Sequence, residues 1–435
     1  MEPKYIEKKA RRKNIYILFM SSNTYRRSFD LEENRDDKGS RIFCSPSKHE
    51  RSLGIAYVSM IIFFNVCGGP WGSEQIMSAG GPLLGLIGVF VFAIFLAIPS
   101  ILMTTELCTM FPTNGGYSIW VKEAFGPFWG FQESWWSWGS GVVDNAVYPV
   151  LFFDVLSQLF DVLQSLNWIQ KYAIKVLIMI CFAIPNFLFV NVVGRWMLVL
   201  FFISMAPFVA FVSAGLATSK SADAHELIEI KPSFSSIDWS TFLSVMYWNF
   251  SGFDCVSTIS GEIKQPSRTY DHFTSRTQQF STLNNCTGTI FRGSMLGCFM
   301  MIVVYVSCLS TAVLVNDPNW NDFEEGSFVD TAKTIERRVG SRQGWLVNWL
   351  AVASLFSFIG QFSAELMEDS FQVLGVAEHA MLPKILSWKH PRFGTHRSSA
   401  LTHIIILHTF LTTLSRYPVD QHRDPDVYCR IPSYI

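Results

Sequence analysis

Apolar segments of about twenty residues, the length needed to cross a bilayer, recur along this 435-residue chain. No other feature constrains its fold as strongly. The segments fall near 52–78, 83–108, 127–153, 171–190, 193–217, 238–260, 292–315, 345–374 and 399–415, about nine in all, the last of them weak. Lipid offers no partner to a backbone N–H or C=O, so each span must be a helix or part of a closed barrel. Barrel strands alternate apolar and polar positions, and these runs do not. An all-α, multi-pass integral membrane protein is the expectation. Composition agrees: 16% of positions are charged, against about 25% in soluble domains.

A net charge of −1 gives no case for nucleic acid. The 9 cysteines are scattered, without a CxxC pair or metal-ligand spacing, and read as small apolar fillers. His379, His390, His396, His403 and His408 are spread along a polar loop and the last span, and read as solvated or packed. No nucleophile motif, phosphate loop or HExxH is present, so the chain is not expected to be an enzyme, and no metal site is expected.

Residues 1–51 form a polar, Lys/Arg-rich tail, 52–415 a membrane core and 416–435 a second polar tail. With the amino terminus cytoplasmic, the inner loops carry Lys122, Arg195, Lys264, Arg268, Arg276, Arg292, Lys384 and Arg392. The loop at 218–237 then lies outside with Asp223, Glu226 and Glu229, and so does the longer loop at 316–344. This matches the positive-inside rule. Asn285-Cys286-Thr287 is a glycosylation sequon that this orientation leaves in the cytoplasm.

Two spans are interrupted. The first contains Asn65-Val66-Cys67-Gly68-Gly69-Pro70-Trp71-Gly72-Ser73-Glu74, with three glycines and a proline, which a continuous helix tolerates poorly. The sixth contains Tyr247-Trp248-Asn249-Phe250-Ser251-Gly252-Phe253-Asp254. Breaks at matching positions of two halves are the mark of an inverted-repeat transporter, whose unwound backbone meets substrate. In the third span, Glu133, Ser137, Gly141, Asp144 and Tyr148 follow at steps of four, four, three and four, which keeps them on one helical face. Carboxylates at membrane depth need water, a partner or a cation.

Gly68-Gly69-Pro70-Trp71-Gly72-Ser73-Glu74, Phe111-Pro112-Thr113-Asn114-Gly115-Gly116-Tyr117, Gly126-Pro127-Phe128-Trp129-Gly130-Phe131-Gln132 and Gly261-Glu262-Ile263-Lys264-Gln265-Pro266 resemble the amino acid–polyamine–organocation superfamily. Asp144-Asn145-Ala146-Val147-Tyr148-Pro149 and Asp369-Ser370-Phe371-Gln372 resemble its plant polyamine-uptake subgroup. The resemblance implies a LeuT-type inverted-repeat bundle with broken first and sixth helices. It also implies alternating access and proton-coupled uptake of amino acids or polyamines at the plasma membrane, driven by the proton gradient without a cofactor. Carried over by position, Gly68, Gly69 and Pro70 with Trp248, Asn249, Ser251, Gly252, Phe253 and Asp254 form the expected substrate site, joined by Asp144 and Tyr148. Glu133, Asp144 and Asp254 are the expected proton-coupling candidates.

Two departures stand out. The link at about 269–291 is longer and more polar than the family's, and the polar end cannot supply the family's final spans. The chain is therefore expected to be an incomplete copy, with a truncated, non-transporting membrane protein as one alternative. Glu106, Glu133, Asp144, Asp254 and Glu365 lie within spans almost without Lys or Arg. An acid-lined, base-poor cavity favours a cationic cargo such as putrescine, spermidine or an arginine-like amino acid. A permease for neutral or large amino acids is the other alternative.

Overall fold

In the computed structural model, residues 53–187, 190–219, 221–229, 231, 233–263, 277–340, 344–388 and 404 are described. The tails 1–51 and 416–435 and, Ile404 apart, the weak ninth span 399–415 lie outside them. The described chain is helical, with one isolated bridge between Leu53 and Ile263.

The first span is two pieces, α1 (Ile55–Val66) and α2 (Gln75–Gly80). A tight turn leads into α3 (Pro82–Met110). This helix passes through a π-turn at Ala93–Ala97, where Pro99 has no N–H to offer the preceding turn. A short helix, α4 (Gly116–Phe125), precedes α5 (Pro127–Leu159), α6 (Trp168–Phe187) and α7 (Val190–Thr218). The sixth span starts as α8 (Trp239–Phe250) and continues only as 3₁₀ turns at Cys255–Ser257 and Ser260–Glu262. Then come α9 (Thr277–Val315), α10 (Ser327–Val339) in the 316–344 loop, and α11 (Trp345–Glu378).

Helix α9 begins earlier than the sequence suggests, so the second half of the expected 269–291 link is helical. No proline interrupts 277–315, and a helix is free to run on into water past the lipid boundary. The sequon at 285–287 falls within this helix.

Among the described residues, six helices are long and apolar enough to cross a membrane: α3, α5, α6, α7, the 288–315 part of α9, and α11. The two broken spans pack with them. Large apolar side chains cover its outside, with Phe95 76% and Trp136 74% exposed. Such a surface belongs against hydrocarbon, not water. The protein is a multi-pass integral membrane protein.

Helix α11 is the hub, packing against α7, α5 and α1. Close approach is set by small residues. A Cβ on Gly360 of α11 would meet the Phe64 ring of α1 at 2.3 Å, and one on Gly375 would meet the Asn114 carbonyl at 2.2 Å. Of the cysteines described, Cys67, Cys108, Cys255, Cys298 and Cys308 are buried and Cys181 is exposed.

Helix α10 lies across the end of the bundle, with Phe328, Ala332 and Ile335 fully buried. From its last turns Glu336, itself buried, reaches the start of α11. There its Oε1 accepts the N–H groups of Leu346 and Val347. These are first-turn donors that have no partner within the helix. Substituting Glu336→Ala should cost about 1–3 kcal/mol, the penalty for stranding buried donors. In detergent this would read as a melting temperature several degrees lower, with Glu336→Gln intermediate. An unchanged melting temperature for Glu336→Ala would show that water replaces the cap.

Candidate functional site

The first-span break is built by glycines in conformations that other residues avoid. Gly68 has φ +58° and Gly69 +152°. Helix α1 closes with the N–H groups of Cys67 and Gly68 both donating to Phe63 O, at 3.0 and 2.9 Å. The carbonyls beyond are freed, and α11 takes them up. Ser357 Oγ donates to Gly68 O at 2.7 Å and Gln361 Nε2 to Cys67 O at 3.4 Å. Ser354, which stands beside Ser357 as a possible ion ligand by residue type, instead donates to Ala351 O at 2.8 Å.

The sixth-span break falls at Ser251 and Gly252. Ser251 is extended, with ψ 169°, and Gly252 has φ +92° with its nearest neighbour 3.7 Å from a built Cβ. The chain then turns through Phe253, which is buried, and Asp254, which is half-buried.

Between the breaks, α11 presents Glu365, Glu368, Asp369 and Gln372. The step of three and then one repeats a single helical face. The stripe on α5 lies against it. Tyr148 and Asp144 are both electrostatic neighbours of Glu365, and Gln372 hydrogen-bonds Ser137. A Cβ on Gly141 would meet Asp369 Oδ1 at 2.4 Å, so this glycine is the notch that admits the carboxylate. Asn145 Nδ2 donates to Asp369 Oδ2 at 3.3 Å. Glu368 is held from two other elements, by Asn65 Nδ2 at 3.1 Å from α1 and by the Tyr117 hydroxyl at 3.1 Å from α4. Asp254 acts electrostatically on both Glu368 and Glu133. Glu133 lies by Ser118 and Ser137, and its Oε2 is buried without a hydrogen-bond partner.

Six carboxyl groups from three spans therefore converge: Glu133 and Asp144, Asp254, and Glu365, Glu368 and Asp369. For Glu133, Asp144, Asp254, Glu365 and Glu368, the groups acting on each are acidic or neutral among the described residues. Asp369 is buried, whereas Glu365, Glu368, Asp254 and Asp144 keep part of their surface accessible. That is the arrangement of a site that takes up positive charge.

The expected site residues divide. Asp144 and Asp254 belong to the cluster and Tyr148 is a neighbour of Glu365. By contrast, Gly68 lies against Gln361, Gly69 against Met205 and Trp71, and Gly252 nearest Val66 and Asn65, while Pro70 O accepts the Ser73 hydroxyl and Ser251 donates to Trp248 O. Asn249 faces away, accepting the Tyr305 hydroxyl at 2.6 Å and donating to Val245 O at 2.8 Å. Trp248 is 52% exposed. Glu106, counted among the acids in spans, is exposed near the end of α3 and stands apart from the cluster. Glu368 and Asp369 are site groups that sequence reasoning did not assign. Three acids at 365, 368 and 369 on one face of an apolar helix were the available signal.

Among the described residues, one group has metal-binding chemistry: His225, Glu226 and Glu229, each offering a ligand atom within 4.8 Å of the others. Their carboxylates serve the loop instead. Trp320 Nε1 donates to Glu226 at 3.2 Å and Glu229 at 3.1 Å, and Asn316 Nδ2 to Glu226 at 3.0 Å.

The amino acid permease family matches residues 55–417. The chain is 35% identical over 345 residues to the polyamine transporter RMV1 of Arabidopsis thaliana, covering 79% of this chain and 64% of that one. It is 34% identical over 348 residues to the polyamine transporter PUT1 of Oryza sativa subsp. japonica, covering 79% and 59%. It thus spans less than two thirds of either relative's length. Among solved structures, MhsT in complex with L-phenylalanine superposes with a TM-score of 0.52 at 12% identity, covering 88% of this chain and 86% of that one. That likeness bears on the fold alone, which is the LeuT-type bundle with broken first and sixth helices.

Crowded acids repel one another when ionised and lose hydration on burial, so the cluster costs the fold stability. The Glu365→Gln variant keeps a polar group beside Tyr148 and removes one of the crowded carboxyl groups. It should melt a few degrees higher than the parent in ligand-free detergent at neutral pH. A lower melting temperature would mean that the carboxylates are held by compensating contacts.

Proposed function

The chain belongs to the amino acid permease family, within the amino acid–polyamine–organocation superfamily, and from that premise we propose that it imports polyamines by proton symport. Cationic amino acids are the second cargo class. Transport proceeds by alternating access around the two breaks, at the plasma membrane, with the amino terminus in the cytoplasm. The proton gradient is the driving force, and no cofactor takes part.

The observation that carries this reading is the convergence of six carboxyl groups, five of which (Glu133, Asp144, Asp254, Glu365 and Glu368) meet only acidic or neutral groups among the described residues. An ammonium leaving water needs a carboxylate close by to offset lost hydration. A linear polyamine brings several ammoniums in one chain, and Glu365, Glu368 and Asp254 stand ready along the helix faces to receive them. Tyr148 adds an aromatic face for cation–π contact. Carboxyl groups that the cargo leaves unpaired take up protons, and Glu133, Asp144 and Asp254 are the groups proposed to do so. The names of the curated relatives, polyamine transporters in two plants, point the same way.

Alternating access needs contacts that can be made and broken on each side. The 111–117 loop fits that role. Gly115 N–H donates to Thr258 O at 3.0 Å, Ser260 Oγ to Thr113 O at 2.6 Å, and Asn114 bridges Gly261 N–H at 3.0 Å and Glu262 at 3.2 Å. Through Tyr117 the same loop holds Glu368. Cargo that draws Glu368 away from Tyr117 would loosen the loop from the sixth span.

The test is uptake of labelled putrescine and spermidine in transport-deficient cells, with and without an inward proton gradient and with arginine as competitor. Gradient-dependent uptake is expected, and amines without a carboxylate should compete. Glu368→Gln and Asp254→Asn should each raise KM about 10- to 100-fold, the loss of one charge-assisted hydrogen bond. If both variants take up putrescine like the parent, the cationic-cargo reading fails.

A further inference from the structure

Glu74 ends the glycine-rich motif of the first span, and the carboxylate cluster does not use it. Its side chain has no solvent exposure. Its Oε1 accepts the Gly326 N–H at 3.3 Å, from the residue that caps α10 in the 316–344 loop. Its Oε2 is buried with no hydrogen-bond partner. The titratable groups facing it are Glu325 from the same loop and Tyr305 and Cys308 from α9. Among the described residues no Lys, Arg or His acts on it. Trp71, three residues earlier, packs its ring against Phe208 at 5.2 Å and Phe328 at 6.3 Å, which closes that side with apolar surface.

An ionised carboxylate at full burial needs donors on both oxygens or a cation beside it. Glu74 has one hydrogen bond by geometry, on one oxygen, with the N–H groups of Gly72 and of Glu74 itself acting on the carboxyl from further off, and its Oε2 has none. That is the pattern of a carboxylic acid, in which the carbonyl oxygen accepts and the other oxygen carries a proton. We propose that Glu74 is a proton-binding site, separate from the carboxylate cluster, that fastens the 316–344 loop onto the broken first span. With the proton on Oε2, the group is neutral and stays in the core under α10. When the proton leaves to water, the charge cannot remain there unpaired, and α10 lifts with it. Loss of the proton, which opens this contact, is thus set by the medium on the side of α10. Its part in coupling rests on the symport reading above, whereas the site itself does not.

Hydrogen–deuterium exchange of peptides within 323–339 tests the site directly. The full-length parent and Glu74→Gln are compared at each of a series of pH values, so that the intrinsic pH dependence of exchange cancels. The two should be equally protected at acidic pH. As pH rises, the parent should lose about tenfold in protection, one local opening becoming easier by a factor of ten, while Glu74→Gln stays closed. Equal pH dependence in both, or a loop that is looser in Glu74→Gln at every pH, would overturn the proposal. Glu325→Gln is the second variant, for use if the first does not fold. Removing that neighbouring negative charge makes Glu74 give up its proton more readily, so the loss of protection should begin at lower pH. No shift would count against the site. Uptake without gradient dependence in the parent would sink the symport reading and leave the exchange result standing.

Discussion

Everything in this bundle depends on where the first span's freed backbone goes. Breaking a helix at bilayer depth strands carbonyls that lipid cannot satisfy, at about 1–3 kcal/mol each if nothing meets them. Helix α11 meets them, with Ser357 on Gly68 O and Gln361 on Cys67 O. The same helix must then lie against α1 along its length, which is why Gly360 leaves room for Phe64. Once α11 is pinned there, its next two turns are aimed between the breaks. Glu365, Glu368 and Asp369 reach the centre of the molecule as a consequence of how the break is repaired.

A second consequence is mechanical. The carboxylates of α11 are held by residues from elements that themselves grip the sixth span. Glu368 is bonded to Asn65 beside the first break and to Tyr117 of the loop that clasps 258–262. Charge arriving at Glu368 therefore competes with two hydrogen bonds that tie separate elements together. Hydrogen bonds to charged groups are worth about 1.5–3 kcal/mol, enough to shift a two-state balance by an order of magnitude or more. The 3₁₀ geometry of the sixth span's second half suits such a role. It is bound to the loop through Ser260, Gly261 and Glu262 more than through a regular helix ladder.

Much of this was legible in the sequence because lipid narrows the choices. The span positions, both breaks and the shared face of Glu133, Ser137, Gly141, Asp144 and Tyr148 follow from hydropathy, glycine chemistry and the 3.6-residue period. What faced that stripe was not legible. Periodicity places a residue on its own helix but is silent on which helix lies opposite, so Glu368 and Asp369 were passed over. The surroundings of Asn249 were equally hidden. A polar residue beside a break resembles a ligand, yet its partner is Tyr305, fifty-six positions along the chain. The helical stretch before Ile290 was missed because polarity was read as a loop, whereas polar residues outside the bilayer remain free to be helical.

The carboxylates also explain why the two polar centres differ. The central cluster keeps part of its surface open, so its excess charge can be met by something that arrives and leaves. Glu74 is sealed beneath Gly326 and Phe328, where only a proton is small enough to neutralise it without unpacking α10. One centre suits an exchangeable polycation, and the other suits the smallest cation there is. Both sit at a break, where backbone geometry rather than helix propensity decides what the chain does.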